Sequence, residues 1–522
     1  MSKVRVPKIV GADVELSNFI LGVSSGQGTG KTASRMLLGE IDGIESGVSG
    51  AAEALDVGRK YLPTSGGCAY IDSDHLEIAL PETFSAFDHV AHWRAMLNVA
   101  RAAMRRVNAR LPDGCRLQVL ANCSDGLGNS YGSHLNVLLT RTAWDEIMST
   151  KPHYLAFLAA FQISSIVFTG QGKVGSEREG APADFQLSQR ADFMKTLVHI
   201  DTMVTRGVIN SRDEAHCGPR RGLVQPELAR LHVIFFDSTL CQIATVLRVG
   251  TMQMIVAMLE AGEVEARLTL DDPLGALGTW SRGPMLAATA DLVGGERRTA
   301  VELQLEFLEA AGRFADRGGF DGIVPRAREL LVLWDNTLRQ LEARAFDTLS
   351  RRLDWVAKYR LLSGMLDRRP DLDWNSPVVK QLDQLYASID DDGPFWALER
   401  ARQVEQLVTE ADIDRAEREP PSDTRAWTRA HLLRLAGDDR VARVQWDRVH
   451  VRTLSPHSPY ARTRAVHLPV PYEATRADNG RFFLEGASLE SVVEGLQAAD
   501  RLPAALGPAL HGSWTLSNGG KQ

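Results

Sequence analysis

Ala69–Glu82 reads AYIDSDHLEIALPE. Five acidic or imidazole side chains crowd into it: Asp72, Asp74, His75, Glu77 and Glu82. The β-formers around them suggest a strand with one functional face. In a strand, side chains alternate, so Asp72 and Asp74 are expected on the same side. Several carboxylates on one strand repel one another unless cations neutralise them. Hard oxygen ligands of this kind suit magnesium, which also brings nucleotide phosphates. Composition alone leaves a solvated acidic turn equally open. A second carboxylate pair, Asp13 and Glu15, has the same i, i+2 spacing in GADVE. Both can point at one metal site, or lie on an exposed edge strand.

Outward from this segment the chain mixes strands and helices without regular β-α alternation. Residues 5–23 read as two strands with a polar break. Arg116–Asn122, Ile163–Phe168 and Leu231–Asp237 read as further strands. Residues 32–40 and 90–110 read as helices, and Gly170–Asp184 as a Gly-rich, charged active-site loop. From Thr239 the pattern turns helical, with apolar residues three to four apart over Thr299–Phe314, Ala327–Arg352 and Trp355–Leu366. The Pro420-Pro421 pair in Glu417–Asp423 marks a linker. The expected fold class is α+β, with a mostly antiparallel sheet packed by helices. Expected boundaries are a large domain over 1–418, a small C-terminal domain over 419–506 and a flexible tail over 507–522.

Composition excludes several classes. The chain has 522 residues, 44% hydrophobic and 24% charged, with a net charge of −7. This is a globular composition without the basic excess of a nucleic-acid binder. Five scattered cysteines and no Cys-x-x-Cys argue against disulfides or structural zinc and for a reducing cytoplasm. The N-terminal residues show no signal-peptide core. Tyr154–Phe168, interrupted by Gln162, Ser164 and Ser165, is too short for a membrane span and is expected in the core. Ser25–Thr32, SGQGTGKT, approaches a phosphate-binding P-loop. Its first position is Ser25 instead of Gly, and no partner Asp on a neighbouring strand is evident, so a flexible connector is the preferred reading. The terminal Gly519-Gly520-Lys521-Gln522 is read as a loose tail.

SYGSHLN (130–136), FQLSQRADF (185–193), INSRDEAH (209–216) and RLHVIFFD (230–237) each place charged or imidazole groups beside apolar strand residues. Lys173, Arg190, Arg212 and Arg230 together suggest an anion-binding cleft. These segments, in this order, resemble the family of depupylases (deamidases of Pup) and Pup ligases, relatives of glutamine synthetase. The carrying matches are Gly11–Glu15, Tyr70-Ile71-Asp72 followed by His75-Leu76-Glu77, and the runs at 188–192, 210–216 and 230–234. LDWVAKYRLL (353–362), LDWNSP (372–377) and EPPSDTRAW (419–427) look closer to the depupylase branch.

The resemblance implies a glutamine-synthetase-like fold and an ATP- and magnesium-dependent reaction at a side-chain amide or isopeptide of a Pup-like protein. Asp72 would be the catalytic group. Asp13, Glu15, Tyr70 and Glu77 would lie at magnesium. Lys173, Arg190, Arg212 and Arg230 would face phosphates, and Trp446 would pack near adenine. A carboxylate–amine ligase and a non-catalytic nucleotide-binding relative are the alternatives. The chain departs from the family pattern at Asp13 (a Glu), Cys68 (an Arg), Leu76 (a Pro), Leu80 (a small hydroxyl residue) and Leu135 (a Glu).

Overall fold

One long strand organises the molecule. In the computed structural model, which describes residues 4–24, 29–45, 58–177, 180–217, 227–455 and 458–501, β1 runs unbroken over Val10–Leu21. Its polar residues do not interrupt it. Asp13 and Glu15 alternate with buried Ala12, Val14 and Leu16, so a two-faced strand takes the place of the expected polar break.

The strands that follow are β2 (Ile44–Glu45), β3 (Lys60–Tyr61), β4 (Cys68–Asp72), β5 (His75–Ala79), β6 (Arg116–Leu120) and β7 (Ser133–Thr140). Then come β8 (Lys173–Val174), β9 (Phe185–Gln186), β10 (Met194–His199), β11 (Arg206–Asn210) and β12 (Leu228–Val233). The main sheet runs β12-β7-β1-β5-β4-β3-β2, with β6 also on β1. Every pair in it is antiparallel. This is the α+β, mostly antiparallel arrangement expected from the sequence.

One face of the sheet packs on helices Ala86–Asn108 and Gln242–Ala261. The second of these is apolar and long enough to cross a membrane, but it is wholly buried and serves as the central core helix. Its charged end is matched internally: Glu260 accepts from Lys8 Nζ at 2.5 Å and from the backbone of Val6 and Thr140. Ile163–Phe168, expected as a strand, closes the buried helix Pro152–Ser164 and begins the turn Ile166–Thr169. Its apolar, partly β-branched composition suits either a strand or a buried helix end, and tertiary packing decides.

The other face of the sheet is covered at one end by the C-terminal part of the chain. Helix Ala426–Arg440 and the strands Val441–Gln445, Arg448–Ser455 and Ser458–His467 share a core with Tyr61, Cys68 and Tyr70. The connector around Pro420-Pro421 is fastened, not free. Both prolines are buried, and Thr424 Oγ1 donates to Glu82 O at 2.7 Å. Arg425 and Arg429 then close on the Glu82 carboxylate at 2.7 and 2.6 Å. Residues 25–28 of the P-loop-like stretch and the Gly-Gly-Lys-Gln tail lie outside the described residues.

Candidate active site

The uncovered middle of that face forms a cavity of about 860 Å³. Antiparallel register builds its floor. Glu15 on β1 pairs with Glu77 on β5, and Glu77 pairs with Tyr70 on β4. Three oxygen-bearing side chains thus form one row across three strands. Tyr70 Oη donates to Glu77 Oε1 at 2.6 Å. One step along β1, Asp13 pairs with His134 on β7. His134 Nδ1 lies 2.9 Å from Asp13 Oδ2, and Asn136 Nδ2 donates to Asp13 Oδ1 at 2.6 Å.

The row is electrostatically uneven. Burial pushes the Glu77 carboxyl well above its usual range, and the charges of Asp13 and Glu15 push it further. Burial would also raise Asp13, but its His134 hydrogen bond and the charges of His134, His232 and Arg230 outweigh this and hold it low. Glu15 behaves likewise, with His75, at 3.4 Å, supplying the offset. Burial and the neighbouring Glu77 charge keep the Tyr70 phenol protonated. Like charges gathered at low dielectric are the condition that a cation relieves.

Asp72 stands at the end of β4, half-buried on the lip of the cavity. Its chain reverses there through Ser73 and Asp74, and Asp72 pairs with His75. Ser73 takes the left-handed conformation, φ +51°, and its hydroxyl donates to Asp72 Oδ1 at 3.1 Å. Asn18 fastens the turn, donating to Asp74 O at 3.2 Å and accepting from Leu76 N at 2.8 Å. The strand therefore ends before Asp74, which does not line the cavity; the expected shared face of Asp72 and Asp74 is not formed.

Cations and aromatics make the walls. Arg190, Arg212 and Arg230 line the cavity as expected. Arg190 donates to Ser130 Oγ at 3.0 Å, and Arg230 to Asn136 Oδ1 at 2.7 Å. Trp446 lines it too, edge-on to Tyr61 with ring centres 5.9 Å apart. Lys173 does not. Its ammonium is buried on Glu177 Oε1 at 2.7 Å, with Asp192 at 3.4 Å. The surrounding Gly170–Asp184 segment contributes no lining residue among its described residues, which serve as scaffold instead of the expected active-site loop. Its glycines serve close packing: a Cβ on Gly170 would sit 2.1 Å from Leu187 O.

Sequence reasoning missed Arg59, Arg206, Arg425 and Arg448, which also line the cavity. It flagged the segments holding His134, Asn136 and His232 without assigning those residues. Their position directly across antiparallel strands was the signal available. Two of the departures lose their force, because Leu76 and Leu135 point into the core and not at the cavity. Asp13 and Leu80 do face it. Among the described residues no group of three His, Cys, Asp or Glu is gathered tightly enough to hold a metal unaided. A cation at this row would therefore need the phosphate oxygens of a ligand to complete its shell.

The chain is similar to known proteins in both sequence and fold. The family model described as Pup-ligase protein matches residues 33–450. The chain is 36% identical over 407 residues to the Pup deamidase/depupylase of Mycolicibacterium smegmatis, covering 77% of this chain and 78% of that protein. It is 37% identical over 389 residues to the depupylase of Acidothermus cellulolyticus, 74% of each. The Pup–protein ligase of Acidimicrobium ferrooxidans is 34% identical over 394 residues, 74% of this chain and 82% of that one. The fold matches the ligase PafA, in its crystal structure with the prokaryotic ubiquitin-like protein Pup, with a TM-score of 0.75. That match covers 94% of this chain and 93% of the ligase at 22% identity. A row of carboxylates on an antiparallel sheet facing a wall of arginines is thus found in a chain that belongs to the Pup-ligase protein family.

Proposed function

We propose that the chain is an ATP- and magnesium-dependent amidohydrolase of the depupylase/deamidase type, acting on the side-chain amide or isopeptide of a Pup-like protein. The observation that carries this is the convergence of Asp13, Glu15, Glu77, Tyr70 and Asp72 with Arg190, Arg212 and Arg230 in one cavity. The depupylases at 36–37% identity and the ADP complex of the fold-related ligase PafA support the direction and the nucleotide. Ligases at 33–34% identity keep an ATP-dependent Pup ligase as the second reading.

Asp13, Glu15 and Glu77 would hold magnesium, with Tyr70 beside them. Magnesium bound there would neutralise the row and polarise the substrate carbonyl. Trp446, with Tyr61 edge-on to it, offers an aromatic wall for a purine. Arg190, Arg212 and Arg230 bind phosphate oxygens; Lys173 has no part in this. The substrate's side-chain carbonyl carbon comes to Asp72, which attacks it or takes a proton from the attacking water. If Asp72 attacks, the nitrogen leaves protonated as ammonia or the lysine amine, and water then hydrolyses the acyl–Asp72 anhydride. If water attacks, the proton Asp72 takes from it passes to the leaving nitrogen and the carboxylate product is formed directly. In this reading the described part of residues 419–506 forms a small unit that closes the nucleotide end, and the enzyme works in the cytoplasm.

The test supplies ATP and magnesium with three substrates: a Pup-type protein ending in glutamine, its isopeptide conjugate, and its glutamate form with a lysine acceptor. Ammonia release and conjugate cleavage are expected. Conjugate formation with phosphate release would favour the ligase, and ADP binding with no turnover in any arm would contradict both.

A further inference from the structure

We propose that Arg59 is a phosphate-binding residue of this cavity, reaching it from the strand beside the acidic row; the proposal rests on the nucleotide reading above. The register of β3 with β4 pairs Lys60 with Ala69 and Tyr61 with Cys68. Carried one step back, it sets Arg59 beside Tyr70. Side-chain alternation then puts Arg59 and Tyr61 on the cavity side and Lys60 on the other, where its ammonium donates to Ile41 O at 2.9 Å. The side chains follow this rule. The Arg59 guanidinium lies 3.5 Å from the centre of the Tyr70 ring, and its Nη1 is 3.5 Å from Cys68 Sγ. The residue is 9% exposed, and it lines the cavity.

Position gives this cation its task. On one side stands the aromatic pair Tyr61 and Trp446. On the other, the Tyr70 hydroxyl donates a hydrogen bond to Glu77, the first group of the carboxylate row. A ligand that stacks on the aromatics and extends toward the acids must carry its anionic part past the Tyr70 ring. Carboxylates alone would repel it there. A guanidinium held over an aromatic face keeps its charge at any relevant pH and presents a planar fork to phosphate oxygens. Tyr70 thereby holds two groups at once: Glu77 through its hydroxyl and Arg59 through its ring. Cys68, the residue below that ring, is small enough to leave room for the guanidinium.

The test uses the full chain and titration calorimetry with ADP plus magnesium, and with adenosine, which lacks phosphate. Arg59→Gln is expected to weaken ADP binding about tenfold or more while leaving adenosine within about twofold. Arg59→Lys, which keeps the charge but not the fork, should fall between. The double variant Arg59→Gln/Cys68→Arg, which supplies a cation from the neighbouring strand, should recover ADP affinity. ADP binding within about twofold of wild type in Arg59→Gln would overturn the proposal, as would equal losses for ADP and adenosine. If Arg59→Gln fails to fold, unchanged ADP binding by Arg59→Lys overturns it instead. Absence of ADP binding by the wild type would be a different result, overturning the nucleotide reading itself.

Discussion

The two faces of the central sheet are written by alternate residues of the same strands, and they behave as opposites. On the core face stand Val14, Leu16, Leu76, Ile78, Leu135 and Val233, all at most 2% exposed. Each such side chain contributes about 1.5–3 kcal/mol through burial. On the cavity face, one residue along, stand Asp13, Glu15, Glu77, His134, Asn136 and His232. There burial works against the charged groups, and Glu77 is held toward its protonated form. The first face makes the fold; the second is a local cost to stability kept at a site that needs perturbed groups.

The contrast can be broken most severely on the core face. Val14→Asp puts an unpaired charge among apolar neighbours and should cost more than about 4 kcal/mol, seen as loss of a cooperative thermal transition. Lys173 stands outside the central sheet, on the separate β8–β9 pair. Lys173→Met leaves Glu177 buried without its cation, which should cost about 3–5 kcal/mol in chemical denaturation while leaving ADP affinity unchanged in the folded protein. A large loss of ADP affinity would return Lys173 to the cavity.

The smallest change in stability carries the opposite sign. Glu77 has a folded pKa above its unfolded value of 4.5. The stability linked to its proton is present below that value and is lost as pH rises through the folded value. Glu77→Gln removes this dependence. It should raise the metal-free protein's stability at pH 8 by up to about 2 kcal/mol while abolishing turnover. A lower melting temperature than wild type at pH 8 would show that the row is not strained.

Much of this was legible in the sequence because strand alternation is a strict rule. Asp13 and Glu15 could be set on one side from their spacing; Tyr70 and Glu77 came from the family resemblance, and antiparallel pairing brings the four together. What the sequence concealed was mostly long-range. Lys173 looked like a loop cation, because its partner Asp192 lies on a different segment and Glu177 was hidden in a Gly-rich run. Asp74 seemed to share a face with Asp72 because the Ser73 reversal carries no Gly or Asn to mark it. Arg59 sits in a small-residue stretch with no motif, and only the pairing of β3 with β4 gives it a role.

The most direct test of the account is turnover of an isopeptide-linked Pup-type conjugate by wild type and Asp72→Asn, with saturating ATP and magnesium and with ADP affinity measured in parallel. The account predicts that Asp72→Asn loses at least about 100-fold in kcat while ADP binding stays within about twofold. Equal turnover by the two proteins would contradict it.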